Sequence, residues 1–554
     1  SHLLPVSPGQ WNPSGKPIAP DARLDIPNPP ADAYLALVLH AHLPFVRHPS
    51  RTAMEEAWLF EAILGTYLPL LDILDHLEEE AVPGRITMSL TPPLASMLRD
   101  EVLMAKFDEH LRKMCELAVL EVDRTRTDPD FGPVAGFYRD RLERQRYLFE
   151  EAYGRDLVGH FARLQEQGRI EIITCTATHG FLPLLKDSPE SVRAQIRVGV
   201  AEHTRLIGRA PRGMWLGECA YFEGLDEILA EEGIEYIFME THSFEHASAP
   251  LRHGVQAPLY MPAGVAAFAR DPRSSQEVWS AEQGYPGDPS YRDFYRDIGF
   301  DLDHVYVAPF LDPSGIRSMT GFKYHAITGK TDHKNPYDRA AALRTVARHA
   351  GDFVHKRWTQ ARALESHMDR KPLIVAMFDA ELFGHWWFEG PEWIENVLRK
   401  LPMAGVLPVG ASQYLDACPE NQLAQPSSSS WGAGGYNEVW LNSTNDWEYP
   451  PLHWAGRKMA QLVENHGGEN GLIGRALRQA GRELLLAQSS DWPFILKNQT
   501  TVGYATRRIH EHLDGFARLA AQIESGSVDE QFLRSLENDN NIFPEVDPTS
   551  WSAT

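Results

Sequence analysis

Leu373-Ile374-Val375-Ala376-Met377-Phe378-Asp379-Ala380-Glu381-Leu382-Phe383-Gly384-His385-Trp386-Trp387 is the stretch on which the fold turns. Its six leading apolar residues read as a short strand buried on both faces, and a carboxylic acid closes it. Gly213-Met214-Trp215-Leu216-Gly217-Glu218-Cys219-Ala220-Tyr221 repeats the pattern around Glu218. An acid at the C-terminal end of a strand, just before the loop, stands where α/β barrels keep their catalytic groups. Two such acids, with tryptophans whose flat faces can stack on sugar rings, point to carbohydrate chemistry run by a carboxylate pair. The bland alternative is two acids held in unrelated structural salt bridges.

Outward from these stretches, the first buried strand reads Tyr34-Leu35-Ala36-Leu37-Val38-Leu39-His40. Further strand-like runs are 86–90, 170–174, 213–216, 234–239, 305–308, 373–378 and 405–409. Helical patterns such as 58–80 and 225–232 separate many of them. That alternation predicts parallel strands with crossover helices, in a barrel or a doubly wound sheet. Residues about 99–168 read as charged amphipathic helices inserted between strands. Residues 243–300 read as a long irregular segment, of the kind that is usually functional. Beyond Gln425-Pro426-Ser427-Ser428-Ser429-Ser430 the pattern turns helical, at 452–465, 472–488 and 502–525. Residues 1–33 are rich in proline with little periodicity, and read as an extended arm.

A chain of 554 residues can bury a large core. Its 53 basic and 76 acidic residues give a formal charge of −23, which argues against a nucleic-acid partner. The four cysteines, Cys115, Cys175, Cys219 and Cys418, form no CxxC pair, so neither a zinc knuckle nor a disulfide framework is expected. No signal peptide is visible, and no apolar run approaches the roughly 18–20 residues that span a bilayer. The expectation is a cytoplasmic protein with no membrane partner.

His40-Ala41-His42-Leu43-Pro44 closes the first strand. Residues i and i+2 of a strand share a face, so both imidazoles can enter one cavity. A metal pair is the rival reading and needs a third ligand with a fitting geometry, which sequence alone does not show. Hydrogen bonding to sugar hydroxyls, orientation of a carboxylate, or structural packing are the other readings. Thr176-Ala177-Thr178-His179-Gly180-Phe181-Leu182-Pro183 repeats the theme of a histidine at a strand end.

Taken together, these segments resemble glycoside hydrolase family 57, and most of all its α-glucan branching enzymes. Five family motifs are similar and in order: 40–44, 176–183, 215–221, 378–387, and the region from Trp440-Leu441-Asn442 to Asp446-Trp447. The likeness spans about residues 34–510. It implies an α/β fold, an incomplete (β/α)7 barrel over 34–424 carrying the 99–168 insertion, with an all-helical C-terminal domain over 425–554 that contributes to the substrate groove. It also implies Glu218 as nucleophile and Asp379 as general acid/base. Substrate contacts fall to His40, His42, His179, Trp215, Arg270, Trp279, Gly287, Trp386, Trp431, Trp440 and Asp491. Neither metal nor other cofactor is expected. One departure is that Tyr221 runs straight into a helix, and the segment between His242 and Arg270 is short where some branching enzymes carry a tyrosine-bearing loop.

The mechanism so implied is retaining double displacement on an α-1,4-glucan, with a glucose 6-hydroxyl as acceptor to make an α-1,6 branch. α-Amylase or 4-α-glucanotransferase activity on the same site is the alternative. A metal-dependent polysaccharide deacetylase, or a glucan-binding protein without activity, are more distant ones. The partners expected are donor and acceptor glucan chains, for a monomer or small homo-oligomer.

Overall fold

The computed structural model describes residues 3–5, 31–280 and 282–553. The strands among the described residues are β1 Leu3–Pro5, β2 Ala33–Ala41, β3 Ile86–Leu90, β4 Ile170–Cys175, β5 Gly213–Trp215, β6 Tyr236–Met239, β7 Leu259–Tyr260, β8 Ala266–Ala269, β9 Leu373–Asp379, β10 Val406–Pro408 and β11 Glu420–Leu423. Seven of them run parallel and side by side in the order β9-β2-β3-β4-β5-β6-β8. The two ends of this curl are not joined by a ladder. A hydrogen bond from the Asp271 N–H to the Val375 carbonyl, 2.8 Å, crosses the seam between β8 and β9. This is the incomplete (β/α)7 barrel. β10 continues β2 at its first residues, while β7, β11 and β1 extend the sheet beyond β8.

The uninterrupted apolar strands serve two cores at once. Leu35, Leu37 and Leu39 of β2, with Ile374, Ala376 and Phe378 of β9, pack against the surrounding helices. The alternate residues, Tyr34, Ala36 and Val38 with Leu373, Val375 and Met377, fill the barrel interior. Each fully buried leucine contributes about 1.5–3 kcal/mol through the water it excludes. At the N-terminal end of the barrel the hydroxyls of Tyr236 and Ser412 donate to the buried Glu171 carboxylate, a structural plug remote from the strand ends.

Three sequence expectations are corrected. Val305–Ala308 is not a strand. His304–Val307 is a short surface helix that Asp303 caps through the Val305 N–H, with Val305 83 % exposed. The seventh barrel strand is instead β8, an Ala-Ala-Phe-Ala run inside the segment read as irregular, which also holds β7 and the helix Pro272–Trp279. Finally, the helical stretch Met54–Glu79 is apolar and long enough to span a bilayer by length and composition, but it is mostly buried in the protein, with Leu59, Ile63, Tyr67, Leu68 and Leu71 in the core. A π-helical turn at Ile63–Tyr67 interrupts it. Of the N-terminal arm only Leu3–Pro5 and residues 31–33 fall among the described residues. Leu3–Pro5 pairs antiparallel with β11.

Between β3 and β4 lie the inserted helices Glu101–Arg124, Gly132–Tyr147 and Leu157–Glu166. The C-terminal helices Tyr449–His466, Gly471–Ala487, Asp491–Asn498, Val502–Ser525 and Glu530–Asp539 pack on one another. Their centre is a buried polar chain. His512 Nδ1–H donates to Glu483 at 2.7 Å, its Nε2 accepts from Arg508 at 2.9 Å, and Asn540 Nδ2 donates to both Glu483 oxygens. Removing one member of such a chain strands the others without water, at about 3–5 kcal/mol. Glu483→Ala is therefore expected to lower the thermal unfolding midpoint by several degrees, measured by calorimetry.

Candidate active site

All the candidate catalytic groups stand at the C-terminal ends of the parallel strands. The β2–β9 register puts Asp379 directly opposite His40. Glu218 follows β5 in a short turn where it and Cys219 adopt left-handed backbone angles, φ 60° and 52°. Non-glycine residues rarely hold that conformation, and such strain persists only where the surroundings enforce it. Here the C-terminal region enforces it. The Trp431 N–H donates to the Glu218 carbonyl at 3.0 Å, and Tyr221 bridges Ser429. Gly217 has to be glycine for a different reason: a Cβ there would lie 2.4 Å from the Gly180 carbonyl oxygen.

The Glu218 carboxylate is held at both oxygens. Trp431 Nε1–H donates to Oε2 at 2.7 Å and the Ser490 hydroxyl to Oε1 at 3.0 Å. Behind Ser490 runs a directed chain. A serine that donates its single proton to a carboxylate must accept from its other partner, so His179 carries its proton on Nδ1, 2.7 Å from Ser490 Oγ. His179 Nε2 then accepts from His40 Nε2–H at 2.9 Å, and His40 Nδ1 accepts from the Ser89 hydroxyl. Burial is the main reason both imidazoles stay neutral, holding His40 well below its ordinary range and His179 at about 3. His42 makes a parallel set, with Nδ1 at 2.8 Å from Thr91 Oγ1 and Nε2 at 2.9 Å from Asp491 Oδ2.

Asp379 differs. Its carboxyl opens to the cleft, although protein surrounds it at longer range, and among the described residues it accepts no hydrogen bond. Burial pushes it up to about 6, opposed by the charges of Arg270 and His42. Burial likewise pushes Glu218 up to about 8, against the donors Trp431 and Ser490 and with the help of the Asp491 and Asp379 charges. Burial thus raises both carboxyls above their ordinary range.

Not every expected contact residue reaches this centre. His40 and Trp215 are buried and stack at 4.5 Å beneath it, and His40 bonds to His179. Arg270 ion-pairs with Glu240 at 3.2 Å and lies 5.0 Å over the Trp431 ring. Trp440 is 1 % exposed and stacks on Phe181, so it offers no free face to a groove. Trp279 and Gly287 are exposed on the segment after β8, and nothing among the described residues joins them to the two carboxyls by a hydrogen bond or ring contact. Trp386 is exposed and stacks on Phe294.

His42, His179 and Asp491 bring ligand-type atoms within 4.8 Å of one another, which revives the metal reading. Their geometry does not fit it. The two rings are stacked at 4.0 Å and 10°, so their in-plane lone pairs lie in separate, nearly parallel planes and cannot both point at one tetrahedral centre. Both nitrogens of each ring already have hydrogen-bond partners.

Residues 36–406 match the model of "Glycosyl hydrolase family 57". The chain belongs to glycoside hydrolase family 57. Residues 451–551 also match the model described as "1,4-alpha-glucan branching enzyme, C-terminal". The 1,4-alpha-glucan branching enzyme of Thermococcus kodakarensis is 34 % identical over 93 % of this chain and 78 % of its own. Similar solved structures are the alpha-amylase AmyC of Thermotoga maritima, 45 % identical with a TM-score of 0.89, covering 94 % of this chain and 99 % of that one. The family 57 branching enzyme of Pyrococcus horikoshii is 31 % identical with a TM-score of 0.85, covering 94 % and 97 %.

For this family 57 chain, four participants escaped the sequence reading: Ser490, Glu240, Tyr67 and Glu381. Only Glu381 carried a signal, as a second acid two residues beyond Asp379. Its Oε1 accepts from the Tyr67 hydroxyl at 2.6 Å and from the His42 N–H at 3.0 Å. Burial first, then the charge of Asp379, pushes it up to about 8. A carboxyl raised above its unfolded value keeps its proton in the folded state, so its penalty grows as pH rises through about 4.5 to 8. Glu381→Gln is expected to gain thermal stability relative to the parent protein on going from pH 5 to pH 8, read from paired melts.

Proposed function

We propose that this protein is a 1,4-α-glucan branching enzyme. It would cleave an α-1,4 linkage and transfer the chain to a glucose 6-hydroxyl by retaining double displacement. The observation that carries the chemistry is the pair Glu218 and Asp379 at the ends of β5 and β9, with Glu218 held at both oxygens by Trp431 and Ser490 and Asp379 open to the cleft. Transfer rather than hydrolysis is favoured because the C-terminal region, similar to that of branching enzymes over 451–551, supplies Ser490 and Asp491 to this centre. Relatives bearing the branching-enzyme name over nearly the whole chain support the same reading.

In this mechanism Glu218 attacks the anomeric carbon while Asp379 protonates the leaving oxygen. Asp379 carries its proton when the leaving oxygen docks against it, and burial, which raises its carboxyl, favours that form. Trp431 and Ser490 keep the charge on Glu218. A covalent β-glucosyl-enzyme forms, and Asp379 then takes the proton of the acceptor hydroxyl. The hydrogen-bond chain from Ser89 through His40 and His179 fixes the orientation of Ser490 throughout. The metal-dependent deacetylase reading is left without a converging ligand set. We assign the enzyme to cytoplasmic glycogen or α-glucan biosynthesis.

A hydrolytic reading has one specific support, the 45 % identity to a protein titled an alpha-amylase. Proton NMR of amylose during incubation separates the readings. Growth of the α-1,6 anomeric signal with few new reducing ends is the expected result. Reducing ends without branches would make the protein a hydrolase, and redistributed chain lengths without branches a 4-α-glucanotransferase. Asp379→Asn is expected to lose about 10²–10⁴-fold in kcat. Added azide should rescue Glu218→Ala as a β-glucosyl azide, the product of attack on the face that Glu218 occupied. An α-configured azide would overturn the assignment of Glu218.

A further inference from the structure

The loop that follows Asp379 has two faces. One turns Asp379 and Glu381 toward the cleft. The other closes a separate cavity of about 130 Å³ between the inserted helices, residues 292–323 and the helix that begins at Ala57. On the same measure a water needs about 10–15 Å³, so the cavity holds the volume of roughly ten waters, or of a ring-sized ligand.

Its lining has a particular chemistry. Tyr138, Phe322 and Phe388 supply flat apolar faces. Glu61, Arg292 and Lys323 supply polar groups with bonding capacity to spare. The Glu61 carboxyl has no protein hydrogen bond among the described residues. Arg292 Nε is buried and without a partner, its guanidinium lying 3.6 Å over the Phe388 ring. Lys323 is 4 % exposed, and among the described residues no carboxylate lies within 4.0 Å of its ammonium, which donates to the Phe294 carbonyl and to Met319 Sδ. At the rim, Phe294 stacks on Trp386 at 4.7 Å and meets Tyr295 edge-on at 5.2 Å. Trp386 and Tyr295 are largely exposed.

Arg292 Nη1 donates to Tyr138 and to the Gly321 carbonyl, so each cation is only partly satisfied, and a ligand that bonds to the remaining donors and to Glu61 recovers part of the cost. Glu61 offers acceptor oxygens, while Arg292 and Lys323 offer donors. They suit a neutral molecule whose hydroxyls donate to Glu61 and accept from Arg292 and Lys323, and whose C–H faces rest on aromatic rings. We propose that this cavity is a second carbohydrate site, which takes one glucosyl unit of an α-glucan while Trp386 and Tyr295 carry the chain past its rim. The identity of the glycan rests on the α-glucan reading above. Burial pushes Glu61 up to about 7, so near neutral pH its carboxyl can donate as well as accept, as sugar hydroxyls require.

The position ties the cavity to the catalytic loop. Glu61, Leu64 and Gly65, at and just before the π-helical turn, line the cavity, and the next two residues grip the loop. Thr66 Oγ1–H donates to the Phe383 carbonyl at 2.9 Å, and Tyr67 donates to Glu381. The Leu64 carbonyl accepts from Gln145 Nε2–H of the cavity wall at 2.6 Å. Such turns inside α-helices occur frequently at functional sites.

The test is calorimetric titration of maltotriose into Glu218→Gln protein, which cannot consume it, with and without Ala57→Phe to fill the cavity. Two sites are expected in the parent and one in the filled variant. Glu61→Gln, an isosteric change that spares the fold, should weaken the second site at least tenfold while the cleft site is unchanged. A single site indifferent to both substitutions would overturn the cavity proposal and leave the function standing. No binding at all would overturn both. Melting curves of each variant confirm that it is folded.

Discussion

A carboxylate enclosed by protein needs hydrogen-bond donors, and a parallel barrel has few to give at its strand ends because its backbone is spent on its ladder. Everything about this active centre follows from how Glu218 meets that requirement. Its donors come from Trp431 and Ser490, far along the chain in the C-terminal region. The strained backbone at Glu218 is stabilised by the same region, through the Trp431 N–H. The helical C-terminal bundle is thus a working wall of the site. Its rigidity, seated on the buried chain of Arg508, His512 and Glu483, matters for where Ser490 sits.

The same requirement explains the buried histidines. His40 and His179 touch no solvent, and neither has room for a charge. As neutral rings each offers one donor and one acceptor, so they can only be linked head to tail. Ser89, His40, His179 and Ser490 line up accordingly, from the end of β3 to the carboxylate. The parallel set around His42 and Asp491 docks the C-terminal region to β2 directly. Sugar rings and metal ions are both natural expectations for a His-x-His pair. Here each ring of the pair has a protein partner at both nitrogens.

What the chain reveals before folding is uneven for physical reasons. β2 and β9 are plain in sequence because strands buried on both faces must be apolar at every position, and their terminal His40 and Asp379 then stand out. β8 is hidden because alanine carries no strand preference and shape complementarity, not propensity, places Ala266 to Ala269 beside β6. Val305 to Ala308 misleads in the opposite sense, as β-branched residues turned into a helix by a capping aspartate. Glu218 and Asp379 were legible as a pair. Ser490 and Glu240 were not, since a serine or glutamate becomes a site residue only through folded contacts, with Glu218 far along the chain for Ser490 and with Arg270 on the next barrel strand's end for Glu240. Trp440 shows the limit of composition: a tryptophan in a polar context can still be core.

The open seam of the barrel bears on the birth of the protein. β2 is the first barrel strand to be made, yet one of its edges is satisfied only by β9, about 340 residues later, which at about 5–20 residues per second is roughly 20–70 s of synthesis. Throughout that interval a nine-residue apolar strand leaves the ribosome with an unpaired edge, the kind of surface that invites aggregation. Glu218 waits longer still, because Ser490 has to emerge before its carboxylate is fully held. A nascent chain is therefore exposed to aggregation along that edge before its active centre is assembled.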